Sequence, residues 1–281
     1  MNKYYNSPGT LRPSDRFRSF CHAFLAMLLF LSFNLPLPAQ QIRVMTYNIY
    51  HGEQHFNPGK SNLAMVAEVI NKYKPDFVAL QEVDSMTMRS AKLNNDIPMD
   101  LVAELARMTG MHGFFGKAID YSNGGYGEGL LTRFPAESSN YSLPNPKGGE
   151  GRVLLLVSHT FPNGQKIIFA GTHLCHQYAE NRLAQAKAVR EILEGTKLPV
   201  IVGGDFNFTP DSEPYKVING GFRDAALIKG NPQITYPPEI LRIDFIFLSG
   251  GHDWTVRDVE VIPASASDHR PVLVTLELKT R

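Results

Sequence analysis

Six short segments of the chain end in side chains that an apolar core does not need. Asn48 follows IRVMTY, Glu82 follows DFVALQ, and His173 sits in GTHL. Asp205 and Asn207 close LPVIVGGDFN, Asp244 interrupts RIDFIF, and Asp268 and His269 precede the run PVLVTLEL. Burying one unpaired carboxylate costs on the order of several kcal/mol. Four carboxylates and two imidazoles at the edges of apolar runs are therefore best explained by convergence on a cation and a reacting group. Asn48, Glu82 and Asp268 offer hard oxygen atoms, which suit Mg²⁺ first, with Mn²⁺ and Ca²⁺ as alternatives, better than zinc. Paired thiolates and an HExxH helix are missing, and so are a G-x-S-x-G elbow and a GxxxxGK[ST] loop. The chemistry that remains is metal-assisted hydrolysis. Each residue also has a plain structural reading. A lone Glu makes a surface ion pair, GGDFN makes an Asx-turn, and SDH makes a cap or turn. The ordered recurrence of the whole set favours the chemical reading.

Elements must bring these residues together. Residues 42–49, 76–83, 166–174, 198–206, 242–249, 254–262 and 271–278 read as strands, short and bounded by Gly, Pro, Asn or Asp. Helical stripes lie between them: Leu63, Val66, Ile70 and Tyr73; Leu101, Leu105 and Met108, between Pro98 and Gly110; and Leu183, Ala186, Val189 and Leu193, ahead of Gly195. Strands and helices mixed throughout give an α/β layered fold. The turn PNGQ at 162–165 joins strand pairs directly, so the sheets are mixed in direction.

The N-terminus differs from the rest. Lys3, Arg12, Arg16 and Arg18 precede the apolar run AFLAMLLFLSF, with a small residue near Ala39. Residues 1–40 read as a secretory signal peptide and 41–281 as one domain of an exported, periplasmic or extracellular protein. The apolar run falls short of the roughly 20 residues of a membrane span, so no stable span is expected after processing. An uncleaved anchor is the alternative. Of the 28 basic and 27 acidic residues, 24 and 26 lie beyond residue 40, a net charge of −2. That balance gives no bulk attraction to nucleic acid. Cys175 alone lies beyond residue 40, so a mature chain forms no internal disulfide and stands on its core. A monomer is expected.

The motifs MTYNIYHG, LQEVD, YGEGLLTRFP, GTHL, GGDFN, RIDFIF and SDHRPV, from Ile42 to Leu278, resemble in order those of the endonuclease/exonuclease/phosphatase superfamily. The resemblance implies a deoxyribonuclease I-like four-layer α/β/β/α sandwich of two facing mixed sheets, with its site at one end. It implies a Mg²⁺-type ion held by Glu82, with Asn48 and Asp268 nearby. It implies water activated with help from His269, itself oriented by Asp244. Asp205 and Asn207 then sit against the phosphate, and the two glycines before them let the backbone approach it. His173 matches a second histidine, an acid or phosphate binder, and Tyr126 and Glu128 resemble a pair that supports it. Tyr50 stands where AP endonucleases carry an acid, and Asp84 where nucleases carry an arginine. His51, Arg89, Arg152 and Arg270 are open to two readings, phosphate contact or surface ion pair.

The function expected is an exported metal-dependent phosphoesterase acting on a phosphodiester by in-line attack of water. Two acid–base histidines suit a poor leaving group. The alternatives are a secreted nuclease on DNA or RNA, which needs a basic, aromatic-lined groove, and a non-catalytic binding module on the same fold.

Overall fold

A computed structural model describes residues 1, 3–4 and 40–279. The apolar run of the signal peptide expected over residues 1–40 lies outside the described residues, and Gln40 already belongs to the first strand. Every element below belongs to the unit Gln40–Arg281.

Strand β1 (Gln40–Asn48) leads through helix α1 (Leu63–Tyr73) to β2 (Phe77–Ser85), which pairs parallel with β1. Parallel neighbours need such a crossover, and α1 buries the expected stripe Leu63, Val66 and Ile70. Helices α2 (Met88–Lys92) and α3 (Leu101–Thr109) follow. Asp100 caps α3, its Oδ1 accepting from Ala103 N at 2.8 Å, and Gly110 ends it at φ 65°. The hairpin β3 (His112–Tyr121) and β4 (Gly124–Thr132) completes this half, with β4 antiparallel to β2.

The second half repeats the scheme. β5 (Glu137–Ser142), β6 (Val153–Thr160) and β7 (Lys166–His173) are antiparallel, the last two joined by the turn read at 162–165. Helix α4 (Ala179–Glu194) then crosses to β8 (Val200–Asp205), parallel to β7. Helix α5 (Glu213–Asn219), β9 (Phe222–Asp224), α6 (Ala225–Lys229) and β10 (Asp244–Ser249) follow. β11 (Trp254–Val261) and β12 (Val272–Leu278) return to the first sheet. The sheet orders are β11-β12-β1-β2-β4-β3 and β5-β6-β7-β8-β10-β9. Each has six strands and one parallel pair, so both sheets are mixed, as expected.

Three apolar layers hold four layers of structure together. Ile42, Val44, Phe77, Phe169, Ile201 and Val274 fill the space between the sheets. Met45, Val78 and Leu131 pack on the stripes of α1 and α3. Ala170, Val202 and Phe247 pack on Ala186, Val189 and Leu193 of α4. β1 and β8 are thus buried on both faces, which is why their sequences run apolar without alternation.

The glycines of GGD serve this packing. A side chain at Gly204 would overlap the Thr172 carbonyl oxygen on β7, and one at Gly203 would press on Thr46 Cβ of the facing sheet at 3.2 Å. They permit close approach of strand and sheet, and this corrects the expectation that they bring backbone to the phosphate.

One buried ion pair braces the strand that delivers Asp244. Arg242 Nη2 donates to both oxygens of Asp224 at 2.7 and 2.6 Å, Tyr215 Oη donates to Asp224 Oδ2 at 3.0 Å, and the Arg242 guanidinium lies 4.5 Å from the Phe245 ring centre. Asp224→Ala leaves a buried guanidinium unpaired and is expected to cost about 3–5 kcal/mol. Urea unfolding measures this, and a loss under about 1 kcal/mol contradicts it.

Candidate active site

β1, β2, β7 and β8 all finish at one end of the sandwich, and the antiparallel β10 starts there. In register, His173 lies opposite Asp205, and Asp205 lies opposite Asp244. Three chemical side chains therefore stand in a row at the edge of the second sheet. On the first sheet Asn48 pairs with Gln81, and the next residue is Glu82. Asp268 and His269 arrive on the loop before β12. Between them lies a cleft of about 1110 Å³, lined by Glu82, His173, Asp205, Asn207, Asp268 and His269 among others.

Glu82 is aimed by a backbone irregularity. It adopts φ 58°, and the β2–β4 register slips between Leu80 and Val83. Such a bulge redirects a side chain, and a left-handed non-glycine residue stores on the order of 1–3 kcal/mol. Tyr50, His51 and Asn207 also have positive φ, at 48°, 44° and 49°. Four of the eleven non-glycine residues with positive φ among the described residues thus lie at this end.

One hydrogen-bonded network joins the set. Asn48 Nδ2 donates to Glu82 Oε1 at 3.0 Å and to Asp205 Oδ2 at 3.1 Å. Asp205 Oδ2 lies 3.5 Å from His173 Nε2 and 3.6 Å from His269 Nε2. His269 Nδ1 sits 2.9 Å from Asp244 Oδ2. Asn207 N donates to Asp205 Oδ1 at 3.0 Å in an Asx-turn, while its Nδ2 donates to Leu174 O at 3.1 Å and lies 2.9 Å from His173 Nε2. The turn reading of GDFN is thus realised, and both Asp205 and Asn207 line the cleft.

Charge follows from this geometry. Burial would lower His269, but Asp244 and Asp205 outweigh it and raise the imidazole to about 10. Burial pushes Asp205 up to about 7, against the pull of His269 and with the push of Asp244. Between these two values the pair holds one proton, on the imidazole, so Asp205 can accept a proton while His269 has one to give. Burial would also raise Glu82, yet hydrogen bonds with His51 and Asn48 leave it ionised, at about 2. His173 is driven well below the ordinary imidazole range by burial and by Arg152, and is neutral at pH 7.

Two groups of site residues stand in arrangements that the sequence did not indicate. Asn48 Oδ1 accepts from Tyr50 N at 3.1 Å, and its amide nitrogen faces the carboxylates. In this arrangement the Asn48 amide nitrogen aligns Glu82 and Asp205. Tyr126 and Glu128 make no hydrogen bond to His173 among the described residues. Arg152 Nη1 fills that side, 3.3 Å from His173 Nδ1, and its Nη2 lies 3.1 Å from His176 Nδ1. Tyr126 lines the cleft. Glu128 is buried and bonded to Gln81 Nε2 at 3.5 Å, with burial raising it well above the carboxylate range. A raised carboxyl stabilises the fold below its unfolded pKa, and that contribution is lost as pH rises through the folded value. Glu128→Gln is expected to flatten this slope and to match or exceed the parent's stability at pH 8. Urea midpoints from pH 5 to 8 check it, and an unchanged slope contradicts it.

The donor set fits a hard divalent cation. Glu82 and Asp268 present oxygen donors to one cleft, and after burial they are, in the order Asp268 then Glu82, what raises the Tyr50 hydroxyl. Asp268 Oδ2 lies 4.0 Å from His55 Nδ1, a buried nitrogen with no hydrogen-bond partner among the described residues. Asp205, Asp244 and His269 form a second grouping, with ligand atoms within 4.8 Å of one another. There, however, His269 Nδ1 is already engaged by Asp244. Glu82 Oε1 accepts from Asn48 and Asp268 Oδ1 from Ser267 Oγ, which leaves one carboxylate oxygen of each without a hydrogen bond under 3.5 Å among the described residues.

The family's sequence profile, described as the Endonuclease/Exonuclease/phosphatase family, matches residues 45–269, from β1 to His269. The chain belongs to the endonuclease/exonuclease/phosphatase family. It is 26% identical over 260 residues to the uncharacterized protein YbhP of Escherichia coli K12, covering 87% of this chain and all of that one. The human nocturnin catalytic domain, solved with a bound sulfate anion, superposes with a TM-score of 0.65 at 25% identity, covering 85% of this chain and 93% of that one. A mannosyl-6-phosphatase of Bacteroides thetaiotaomicron shares the fold, with a TM-score of 0.63 at 17% identity over 84% of this chain and 99% of that one. Endonuclease/exonuclease/phosphatase members are hydrolases of phosphoesters that use divalent cations, and the four-layer sandwich is theirs.

Other residues of this family member's cleft escaped the sequence reading. Tyr236 lays its ring on His269, with centroids 4.6 Å apart. The segment 143–151 is pinned through Asn145, Lys147 and Gly148 to Asn181, and its Glu150 lines the cleft and reaches Arg152 at 2.5 Å. The Tyr-Pro-Pro step ahead of RIDF was the only linear sign of Tyr236. Of the four ambiguous residues, His51 contacts Glu82 at 3.5 Å, and Arg89 and Arg152 are ion-paired and line the cleft. Arg270 donates its backbone N–H to Thr235 O.

Proposed function

We propose that this protein is an exported, divalent-cation-dependent phosphoesterase that hydrolyses a phosphodiester by in-line attack of water. The observation that carries the reading is the position of Asp205 Oδ2, linked through Asn48 to Glu82 on one side and bracketed by two imidazoles at 3.5 and 3.6 Å. Structural ion pairs do not call for that arrangement. The sulfate held by the nocturnin domain, a tetrahedral oxyanion like phosphate, supports it by analogy.

Glu82 and Asp268 would hold the cation. When bound, it supplies Lewis-acid stabilisation of charge growing on the phosphoryl oxygens. The chain's own groups do the rest. With the shared proton on His269, the Asp205 carboxylate is the group free to take the proton of the attacking water, and His269 Nε2 has one to give. Asp244 fixes the imidazole and stabilises the imidazolium. Asn207 Nδ2 and His173, on the other side of Asp205, face the phosphoryl oxygens. Tyr236 and Arg152 keep the two imidazoles in place.

The cleft balance weighs against the nuclease alternative. Glu82, Glu150, Glu180, Asp205, Glu213, Glu239 and Asp268 line it against Arg89, Arg152 and Arg182. A polyanion is not drawn into such a groove. Among the described residues no helix is long and apolar enough to cross a membrane. Export rests on the N-terminal sequence alone, and N-terminal sequencing of secreted material tests it.

The deciding assay uses bis-p-nitrophenyl phosphate with Mg²⁺, Mn²⁺ or Ca²⁺, and with EDTA. Turnover that EDTA abolishes and added Mg²⁺ restores is expected. No turnover with any of these ions returns the protein to the binding-module reading.

A further inference from the structure

Beyond Glu82 the cleft wall carries a guanidinium held with unusual care. Asp84, fully buried, accepts from Arg89 Nε at 2.8 Å and from Nη2 at 2.7 Å, with Thr87 Oγ1 also donating to it at 2.7 Å. The Arg89 guanidinium carbon lies 4.5 Å from the Tyr121 ring centre and 5.3 Å from that of Tyr126. One edge of the fork is thus taken by a carboxylate and the rings restrain its plane. Among the described residues Nη1 has no hydrogen-bond partner, and Arg89 lines the same cleft as Glu82 and Tyr126. A bidentate carboxylate on one edge leaves a guanidinium rigid, with donors ready for an oxyanion at the free edge. A clamp serving only the fold would not need to sit in the cleft wall with a nitrogen left over.

We propose that Arg89 is a substrate-binding residue that receives a second phosphate-type oxyanion, so that the preferred substrate carries another phosphate beside the scissile one. This rests on the phosphoesterase reading for the scissile position, and Asp84 acts only through Arg89, as a positioning residue. Tyr121 and Tyr126 fix the direction of the fork and leave room for a tetrahedral group.

The test is calorimetric titration of the whole chain with inorganic phosphate and with inorganic pyrophosphate, each with Mg²⁺. Wild type is expected to bind pyrophosphate at least ~10-fold more tightly, in line with added charge-assisted hydrogen bonds. The double variant Asp84→Asn/Arg89→Gln leaves no lone buried charge and is expected to lose that preference. Should it fail to fold by circular dichroism, Arg89→Lys, which keeps the charge without the fork, is expected to reduce the preference at least ~3-fold. A wild type without preference, or a variant that retains it, overturns the proposal. The readout needs no turnover: a pyrophosphate preference in a protein that hydrolyses no aryl phosphate keeps the subsite and sinks the phosphoesterase.

Discussion

His269→Ala is expected to lower kcat by at least ~10²-fold, the usual contribution of a positioned acid–base group. The imidazole is buried, 2.9 Å from Asp244 and 3.6 Å from Asp205, so nothing else among the described residues can take over at Nε2. Its removal also leaves Asp205 and Asp244 facing each other without the cation that separates them, which raises their proton affinity further and makes Asp205 a poorer anion at neutral pH. KM is expected to move little, because His269 acts in proton transfer and not on the ground-state ester. Asp244→Asn separates orientation from proton transfer. It keeps the shape, presents an amide to Nδ1, and is expected to lower kcat by a similar factor through the wrong tautomer. Single-turnover kinetics of both variants, with circular dichroism to confirm folding, measure the effect. Full activity in His269→Ala removes the residue from the mechanism.

Glu82→Gln is expected to produce a second large loss, about 10²–10³-fold at moderate Mg²⁺, the scale of removing one electrostatic stabiliser of the transition state. The substitution is close to isosteric, so the bulge at φ 58° and the Asn48 contact can persist. What disappears is an ionised oxygen. The diagnostic feature is the Mg²⁺ titration: the half-saturating concentration should rise at least ~10-fold, whereas a residue that only packs would leave it in place. A fall in rate with an unshifted Mg²⁺ curve would falsify the ligand role of Glu82.

The parts of this site that were legible share one physical origin. β1, β2, β7, β8 and β10 are buried on both faces, so a polar residue at their ends stands out against a continuous apolar run. The same contrast made the helical stripes of α1, α3 and α4 readable. β3 and β4 lacked it: Gly113, Gly116, Gly124, Gly125, Gly127 and Gly129 replace the branched residues that mark a strand. β5 is exposed throughout, and its polar sequence reads as loop. Within the site, residue types were readable but directions were not. Which end of the Asn48 amide faces Glu82, and that Arg152 instead of Glu128 backs His173, depend on contacts 21 to 157 residues apart in the chain. The GGD glycines were misread for the same reason, since their neighbours lie on β7 and on the facing sheet.

The order of strands has a temporal consequence. β12 is the last strand made, yet it lies between β11 and β1, the first. Asp268 and His269 enter only on the loop that leads into it. A growing polypeptide halted before that loop can lay down much of both sheets and still lack its proton-handling imidazole. On the proposed mechanism hydrolytic power arrives late in synthesis, and fragments that end before Asp268 are expected to be inert instead of partly active.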